Sequence, residues 1–511
     1  MKRDLQPAAQ TSPPDMSLEP TAAAAATQPS VFGHLLPRQA ARPTVAELVA
    51  LAATMNDGMF LNDGAGAGQR GSIAAGYTYL GQVIDHDLTS DRSLPLGVAG
   101  SHGQARTNFS TPAFDLDGLY GAGPTHDAAL YEADGLHLKL DGHDLVRKSD
   151  GRAVIKDPRN DSNVILSQLH AALARFHNRV ADNLDLPGAA TGAERFAEAR
   201  ALVCRHYQWI VLHDFLPKIV GQDLVTSILG ANPAQAAANL KLFKPGNPPK
   251  MPFEFAAAAF RFGHSMVRSG YRLNSKGGQT LTFDRMQPDG NQANDLRGFR
   301  PVPAAMAIDW SHFFTMPDAA PTNVQFARPL DTLIALPLFE LPFSVANDQS
   351  PQGRMLPLRN LHRSENDIGL PTGQELAAEM RRLGVPEAAS MKILGVDTAF
   401  HIRLGELSAP GESENNLGGT GISKSELEQR LGTKTPLWYY ILKEAADFQG
   451  GQRLGPVGGR IVAEVIIGLL LAVPDSVLQS QVAWRPQQGN FGCRVDSLYG
   501  IANLLDFAAT V

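Results

Sequence analysis

The chain has 511 residues, with 45 Lys and Arg against 51 Asp and Glu, a formal net charge of −6. No run of Lys or Arg is long enough to track a phosphate backbone, so nucleic acid is excluded as an expected partner. Two cysteines, Cys204 and Cys493, cannot staple a chain of this size, so an oxidising compartment is not required. The hydrophobic set is 43%, enough for a substantial core, while 48 Gly and 35 Pro predict long irregular connections between elements. No continuous apolar stretch follows Lys2 and Arg3, and the longest apolar run, 461–473, is interrupted by Glu464. The expectation is a soluble protein with no transmembrane segment, either cytoplasmic or exported without a standard signal peptide.

Residues 1–30 are rich in Pro, Ala, Ser, Thr and Gln and read as a disordered tail. Apolar patterning begins at Val31, and 44–55 has the pattern of a first helix. Between 72 and 90, Ile73, Tyr77, Leu80, Val83 and Ile84 recur at helical spacing, and the segment closes on Gly81-Gln82-Val83-Ile84-Asp85-His86-Asp87. Gln82 and His86 are four residues apart and share a face. Asp85 and Asp87 turn away by roughly 100° to opposite sides of His86. Charges are costly among apolar neighbours unless something uses them, so Asp-His-Asp is a candidate site rather than a solvated helix end.

The segment 111–121 places Thr111, Asp115 and Asp117 alternately before Gly118, an oxygen-rich loop suited to a hard cation such as calcium. It lacks the spacing and closing Glu of an EF-hand, and an ordinary turn is the competing reading. Asp157-Pro158-Arg159 then leads into a strong helix striped by Ile165, Leu166, Leu169, Leu173, Phe176 and Val180. Another helix is predicted over 193–216. An apolar helix over 255–268 carries Arg261 and His264, with small Ala residues one and two turns before the histidine. Leu358 to Arg363 begins a further helix, containing Asn360. The stretch 418–425 looks like a phosphate loop, but Ser423 stands where glycine is required, and Ser423 with Glu426 fits a capping box instead. Helices near 437–448 and 461–472 complete an α-rich pattern.

Taken together, the motifs resemble the animal-type haem peroxidase superfamily (myeloperoxidase- and peroxidasin-like), in a bacterial-looking form. The carrying residues are 81–87, 111–121, Asp157-Pro158-Arg159, His177-Asn178-Arg179 and 260–264, with Asn360 and Arg363 fitting a later motif. The resemblance implies a mainly α fold: one large helical peroxidase domain over 31–511, with long loops and little β structure. It implies haem b as cofactor, His86 as the distal base with Gln82 beside it, Arg159 as the distal arginine, and His264 as the axial iron ligand. Asn360 would hold the free ring nitrogen of His264, and Arg363 and Arg261 would face the haem propionates. Asp87, Thr111, the carbonyl of Ala113, Asp115 and Asp117 would bind calcium. The implied reaction reduces hydrogen peroxide and oxidises a small donor such as a halide or phenol.

The chain departs from the family at one informative place. Mammalian members ester-link haem through an Asp and a Glu; Asp85 matches the first, but Ser162 stands at the second. Asn163 replaces the methionine associated with chloride oxidation. A single ester through Asp85 is therefore expected at most. Two rivals stay open: a fatty-acid dioxygenase of the same superfamily, which needs a Tyr where this chain has Arg261, and a non-catalytic haem- or calcium-binding protein.

Overall fold

The computed structural model describes residues 30–37, 42–58, 71–90, 107–186, 190–284, 294–318, 323–346, 348, 350–407, 411–480, 484–487, 490–493 and 498–509. The predicted tail at 1–29 lies outside the described residues. The architecture is mainly α, as the sequence pattern implies. In chain order the helices are α1 (Val45–Thr54), α2 (Gly76–Leu88), α3 (Asp117–Tyr120), α4 (Val164–Asp182) and α5 (Gly192–Ile210). There follow α6 (Leu216–Val220), α7 (Gln222–Leu229), α8 (Pro233–Asn239), α9 (Phe253–Ala256) and α10 (Gly263–Met266). The C-terminal part adds α11 (Phe343–Ala346), α12 (Leu356–His362), α13 (Gly373–Arg382), α14 (Lys424–Leu431), α15 (Leu437–Gln449), α16 (Pro456–Ala472) and α17 (Ile501–Ala509). Strands among the described residues are short. β1 (Ser30–Gly33) lies between β2 (Thr107–Asn108), antiparallel, and β5 (Met251–Pro252), parallel; β3 (Leu140–Asp141) with β4 (Asp144–Leu145) and β6 (Gly270–Arg272) with β7 (Gln279–Leu281) form two hairpins.

Local chemistry sets the helix starts. Thr44 accepts from the Glu47 amide while Glu47 accepts from the Thr44 amide at 2.7 Å, a reciprocal cap that begins α1. Ser423 and Glu426 form the same box on α14, which disposes of the phosphate-loop reading of 418–425. Asn163 caps α4 by accepting from Leu166 N at 2.8 Å.

The core is built on α4, α15 and α16, whose apolar residues are almost wholly buried. Glu464 tolerates the middle of α16 because its carboxylate accepts from the amides of Lys241, Leu242 and Phe243 at 2.7–2.9 Å and pairs with Arg460 at 2.5 Å. Among the described residues no helix is long and apolar enough to cross a membrane.

Two predicted helices differ from expectation. The 193–216 segment is α5 running through a π-helical turn, Val211–Phe215, into α6. The 255–268 segment is not one helix but α9, a 3-10 turn (Ala259–Phe262) and α10. The break falls at Ala258, with φ −136° and ψ −69°. The backbone carbonyls there are taken by side chains instead of by helical amides: Arg261 Nε donates to Ala256 O at 3.1 Å, and Trp438 Nε1 donates to Arg261 O at 3.1 Å.

The segment ahead of α4 is tied to the 294–299 strand-like stretch by Gly298 N to Ser162 O (3.1 Å) and Phe299 N to Asp161 O (2.8 Å). A Cβ on Gly298 would sit 1.7 Å from the Asp161 carbonyl oxygen, so the two backbones approach this closely only because residue 298 is glycine. Gly298→Ala is therefore expected to lower stability by about 1–3 kcal/mol through forced separation of the pair. Thermal unfolding checks this, and an unchanged midpoint would show that the contact is not a constraint.

Candidate active site at the end of helix α2

Gln82, Asp85, His86 and Asp87 all lie in the last two turns of α2. His86 is buried, and its Nδ1 is 2.8 Å from Asn160 Oδ1. Burial is the main cause holding its imidazole below its ordinary range, with the Arg159 charge second, so the ring is neutral. The 3-10 turn Pro158–Asp161 brings Arg159 to the same helix end. Arg159 Nη2 donates to His86 O at 2.9 Å and Nη1 to Thr89 O at 2.7 Å, so the guanidinium caps the C-terminal carbonyls of α2. Asp157 clamps it from behind, accepting from Nε and Nη2 at 2.5–3.0 Å. Of the five guanidinium N–H groups, one on Nη1 is left over from these bonds. Gln82 Oε1 accepts from Asn163 Nδ2 at 3.3 Å. Asp85 is half-buried, its carboxylate accepting from Thr89 Oγ1 at 3.1 Å.

On the other side of the helix end, Asp87, Asp115 and Asp117 bring carboxylate oxygens within 4.8 Å of one another. Both Asp87 oxygens and Asp115 Oδ1 are buried without a hydrogen-bond partner. The Tyr207 hydroxyl lies near Asp87 without reaching hydrogen-bond geometry. Burial, then mutual repulsion, pushes Asp87 well above the carboxylate range and Asp117 up to about 7. Thr111 donates its amide to Asp117 Oδ2 at 3.0 Å, and Ala113 lies in the same loop. Phe114 and Leu116, both buried, have φ of 52° and 55°, a left-handed conformation costly for bulky side chains. Strained backbone around a carboxylate cluster with three buried, unpartnered oxygens fits a cation-binding loop.

His264 opens the third side, at the start of α10, which packs against α2. Its Nδ1 is 2.8 Å from Asn360 Nδ2, and Asn360 Oδ1 accepts from Arg261 Nη1 at 2.9 Å. Burial pushes His264 down to about 3, so it too is neutral. Ala256, Ala257, Ala258 and Ala259 before it are buried, yet Gly263 and His264 are only half-buried and a Cβ on Gly263 would meet nothing within 4 Å. Open space therefore lies next to Gly263, the neighbour of His264. Arg363 begins a π-helical turn directly after α12, three residues beyond Asn360, and is half-buried.

Sequence reading missed several participants. Asn160 and His170 are buried behind His86, with Asn160 Nδ2 3.3 Å from His170 Nδ1. Their signal was a polar residue beside Arg159 and a histidine at an apolar helix position, neither distinctive alone. Asp161, adjacent to the departure at Ser162, is committed elsewhere: both its oxygens take Arg147 Nη1 at 2.7 and 2.8 Å, and one takes Ala153 N at 2.9 Å.

Residues 85–299 match the model of the animal haem peroxidase family. That segment is thus similar to an animal haem peroxidase domain, and the helical fold resembles that of the solved structures named below. Among curated relatives, it is 32% identical over 149 residues to a peroxidase-like protein of Margaritifera margaritifera, covering 26% of this chain and 18% of the relative. It is 32% identical over 118 residues to the chorion peroxidase of Aedes aegypti, covering 23% of this chain and 15% of the relative. The matched part thus spans less than a fifth of these relatives' length. Of solved structures, peroxidase A of Dictyostelium discoideum superposes with a TM-score of 0.58 at 15% identity, over 89% of each chain. A fatty acid alpha-dioxygenase of Arabidopsis thaliana gives 0.53 at 15% identity, over 86% of this chain and 72% of its own.

The carboxylate cluster gives a signed expectation. A carboxyl raised from its ordinary 3.8 to about 7 in the folded state, as at Asp117, contributes stability below pH 4 that is lost as pH rises through about 7. Protein stripped of divalent cations should therefore lose thermal stability between about pH 4 and 7, and calcium should restore it at pH 7. The same melting curve with and without calcium would mean the loop is only a turn.

Proposed function

We propose that this protein is a haem peroxidase that reduces hydrogen peroxide and oxidises a small donor molecule, with 31–511 as one catalytic domain. One observation carries the reading. Two neutral histidines lie on packed helices: His86, buried, beside a clamped arginine, and His264, half-buried, next to the open space at Gly263.

The residues fit haem. His264 would hold the iron through Nε2, which needs the Asn360 amide turned so that Oδ1 rather than Nδ2 faces His264 Nδ1; the buried alanines of 256–259 would allow a flat ring close approach, and Arg261 and Arg363 would meet the propionates. Asp87, Asp115, Asp117, Thr111 and the Ala113 carbonyl would hold calcium, matching a hard cation's preference for oxygen. Haem iron, when bound, supplies the electrons that break the peroxide O–O bond and the oxidising power passed to the donor. The protein's part is proton handling and electrostatics. Neutral His86 takes the proton from one peroxide oxygen at Nε2 and returns it to the other, which leaves as water. The remaining Nη1 proton of Arg159 stabilises charge on the departing oxygen. Asp157 keeps the guanidinium fixed while this happens. Gln82, held by Asn163, orders the same face.

The dioxygenase reading is weaker because Arg261 occupies the position where a radical-bearing tyrosine is needed. A binding protein without turnover would need His264 but not the Arg159–Asp157 clamp beside His86.

His264→Ala is expected to abolish or grossly shift the Soret band, and an intact spectrum would refute axial ligation. His86→Ala should bind haem normally yet consume peroxide roughly 10²–10⁴-fold more slowly in stopped flow. A rate within a few-fold of the parent would remove His86 from the reaction.

Haem attachment follows from the carboxylates. Asp85 is available, Ser162 has no carboxylate, and Asp161 is bound to Arg147. We expect at most one ester, through Asp85, formed during turnover with peroxide. Mass spectrometry after acid extraction should find haem on the Asp85 peptide in a fraction that grows with peroxide, and none in Asp85→Asn. Haem on a 157–165 peptide of the parent would contradict this.

A further inference from the structure

Asn160 lies against the Nδ1 side of His86 and is 5% exposed, in the middle of the Pro158–Asp161 turn. Its amide is packed on both sides. Oδ1 is 2.8 Å from His86 Nδ1, Nδ2 is 3.3 Å from His170 Nδ1, and the Gly118 backbone lies against it so closely that a Cβ there would be 3.3 Å from Nδ2. His170 is 4% exposed on the buried face of α4.

An amide oxygen only accepts, and an amide NH2 only donates. With Oδ1 turned to His86 and Nδ2 to His170, the arrangement calls for His86 to carry its proton on Nδ1 and for His170 to present a bare Nδ1, keeping its own proton on Nε2. The two imidazoles are thus fixed in opposite tautomers by one amide wedged between them. For His86, the consequence is that the lone pair lies on Nε2, the ring nitrogen on the far side from Asn160. A base that must take a proton there needs that tautomer, and neutral imidazole does not hold it strongly on its own.

From this geometry we infer that Asn160, oriented by His170, is a positioning residue that keeps His86 in the Nδ1–H tautomer, so that Nε2 is always the basic nitrogen. The inference rests on the peroxidase reading for its functional consequence, but the tautomer itself does not. The charged neighbours are committed elsewhere, Arg159 to Asp157 and the α2 carbonyls, Asp161 to Arg147 and the Ala153 amide, and Asp85 to Thr89, so none of them competes for Nδ1.

The test uses the full chain, labelled with 15N-histidine and loaded with diamagnetic zinc protoporphyrin, alongside stopped-flow peroxide consumption by the iron-haem form. The resonances of His86 among the 14 histidines are assigned by their loss in His86→Gln. The parent should show His86 as a single Nδ1–H tautomer with a pyridine-type Nε2. Asn160→Leu should shift it toward Nε2–H and slow peroxide consumption by roughly 10²-fold or more, since a histidine base in the wrong tautomer is a poor catalyst. Asn160→Asp, which still accepts from Nδ1, should keep the tautomer and recover the rate to within a few-fold. His170→Phe supplies a second variant that leaves Asn160 in place but releases its orientation, and a mixed tautomer is expected. An Nε2–H tautomer in the parent overturns the inference, as does a rate that stays unchanged while the tautomer moves. A parent with the Nδ1–H tautomer that never consumes peroxide overturns instead the peroxidase reading.

Discussion

The last turn of α2 is held by one guanidinium. Arg159 donates to the carbonyls of His86 and Thr89 while Asp157 neutralises it, and the rest of the site is arranged about that cap. Carbonyls at a helix end have no intrahelical partners, and the partial negative charge there favours a cation. By supplying a side chain from the turn before α4, the chain fixes α2 against α4 and brings Asn160 to His86 in the same step. Arg159, to which the proposed mechanism gives a role, is thereby also a structural clamp.

The same helix end serves two neighbours of opposite character. His86 is wanted neutral, and burial with the Arg159 charge keeps it so. Asp87, one residue on, faces two more carboxylates in a strained loop and is unsatisfied by any hydrogen bond. The two demands are compatible because consecutive helical residues point roughly 100° apart. They are also joined, since Asp87 and His86 are consecutive residues of one helix end and whatever holds the first holds the backbone of the second.

Much of this was legible in the residues. The helical period over 72–90, the reciprocal cap of α14, and the oxygen-bearing alternation at 111–117 each reflect local chemistry that acts over a few residues. Glu464 could be seen interrupting an apolar run, but not the three amides from 241–243 that make it tolerable, because those arrive from over 200 residues away. The break at Ala258 escaped for the same reason: Trp438 takes a carbonyl that the local sequence assigns to a helix. Asn160 and His170 escaped because their meaning lies in a three-body contact with His86, and no spacing rule encodes it. Gly298 is likewise silent in sequence and decisive in contact with Asp161.

The central proposal is that the carboxylate cluster, as a calcium site, and His86, as the proposed base on α2, work as one unit. It is tested most directly by the rate of peroxide consumption in haem-loaded protein before and after removal of bound calcium, with haem content verified unchanged. The account expects stripped protein to react slowly, near the level of a protein lacking the His86 base, and calcium to restore the rate. Stripped protein that retains its haem and reacts at the full rate would contradict it.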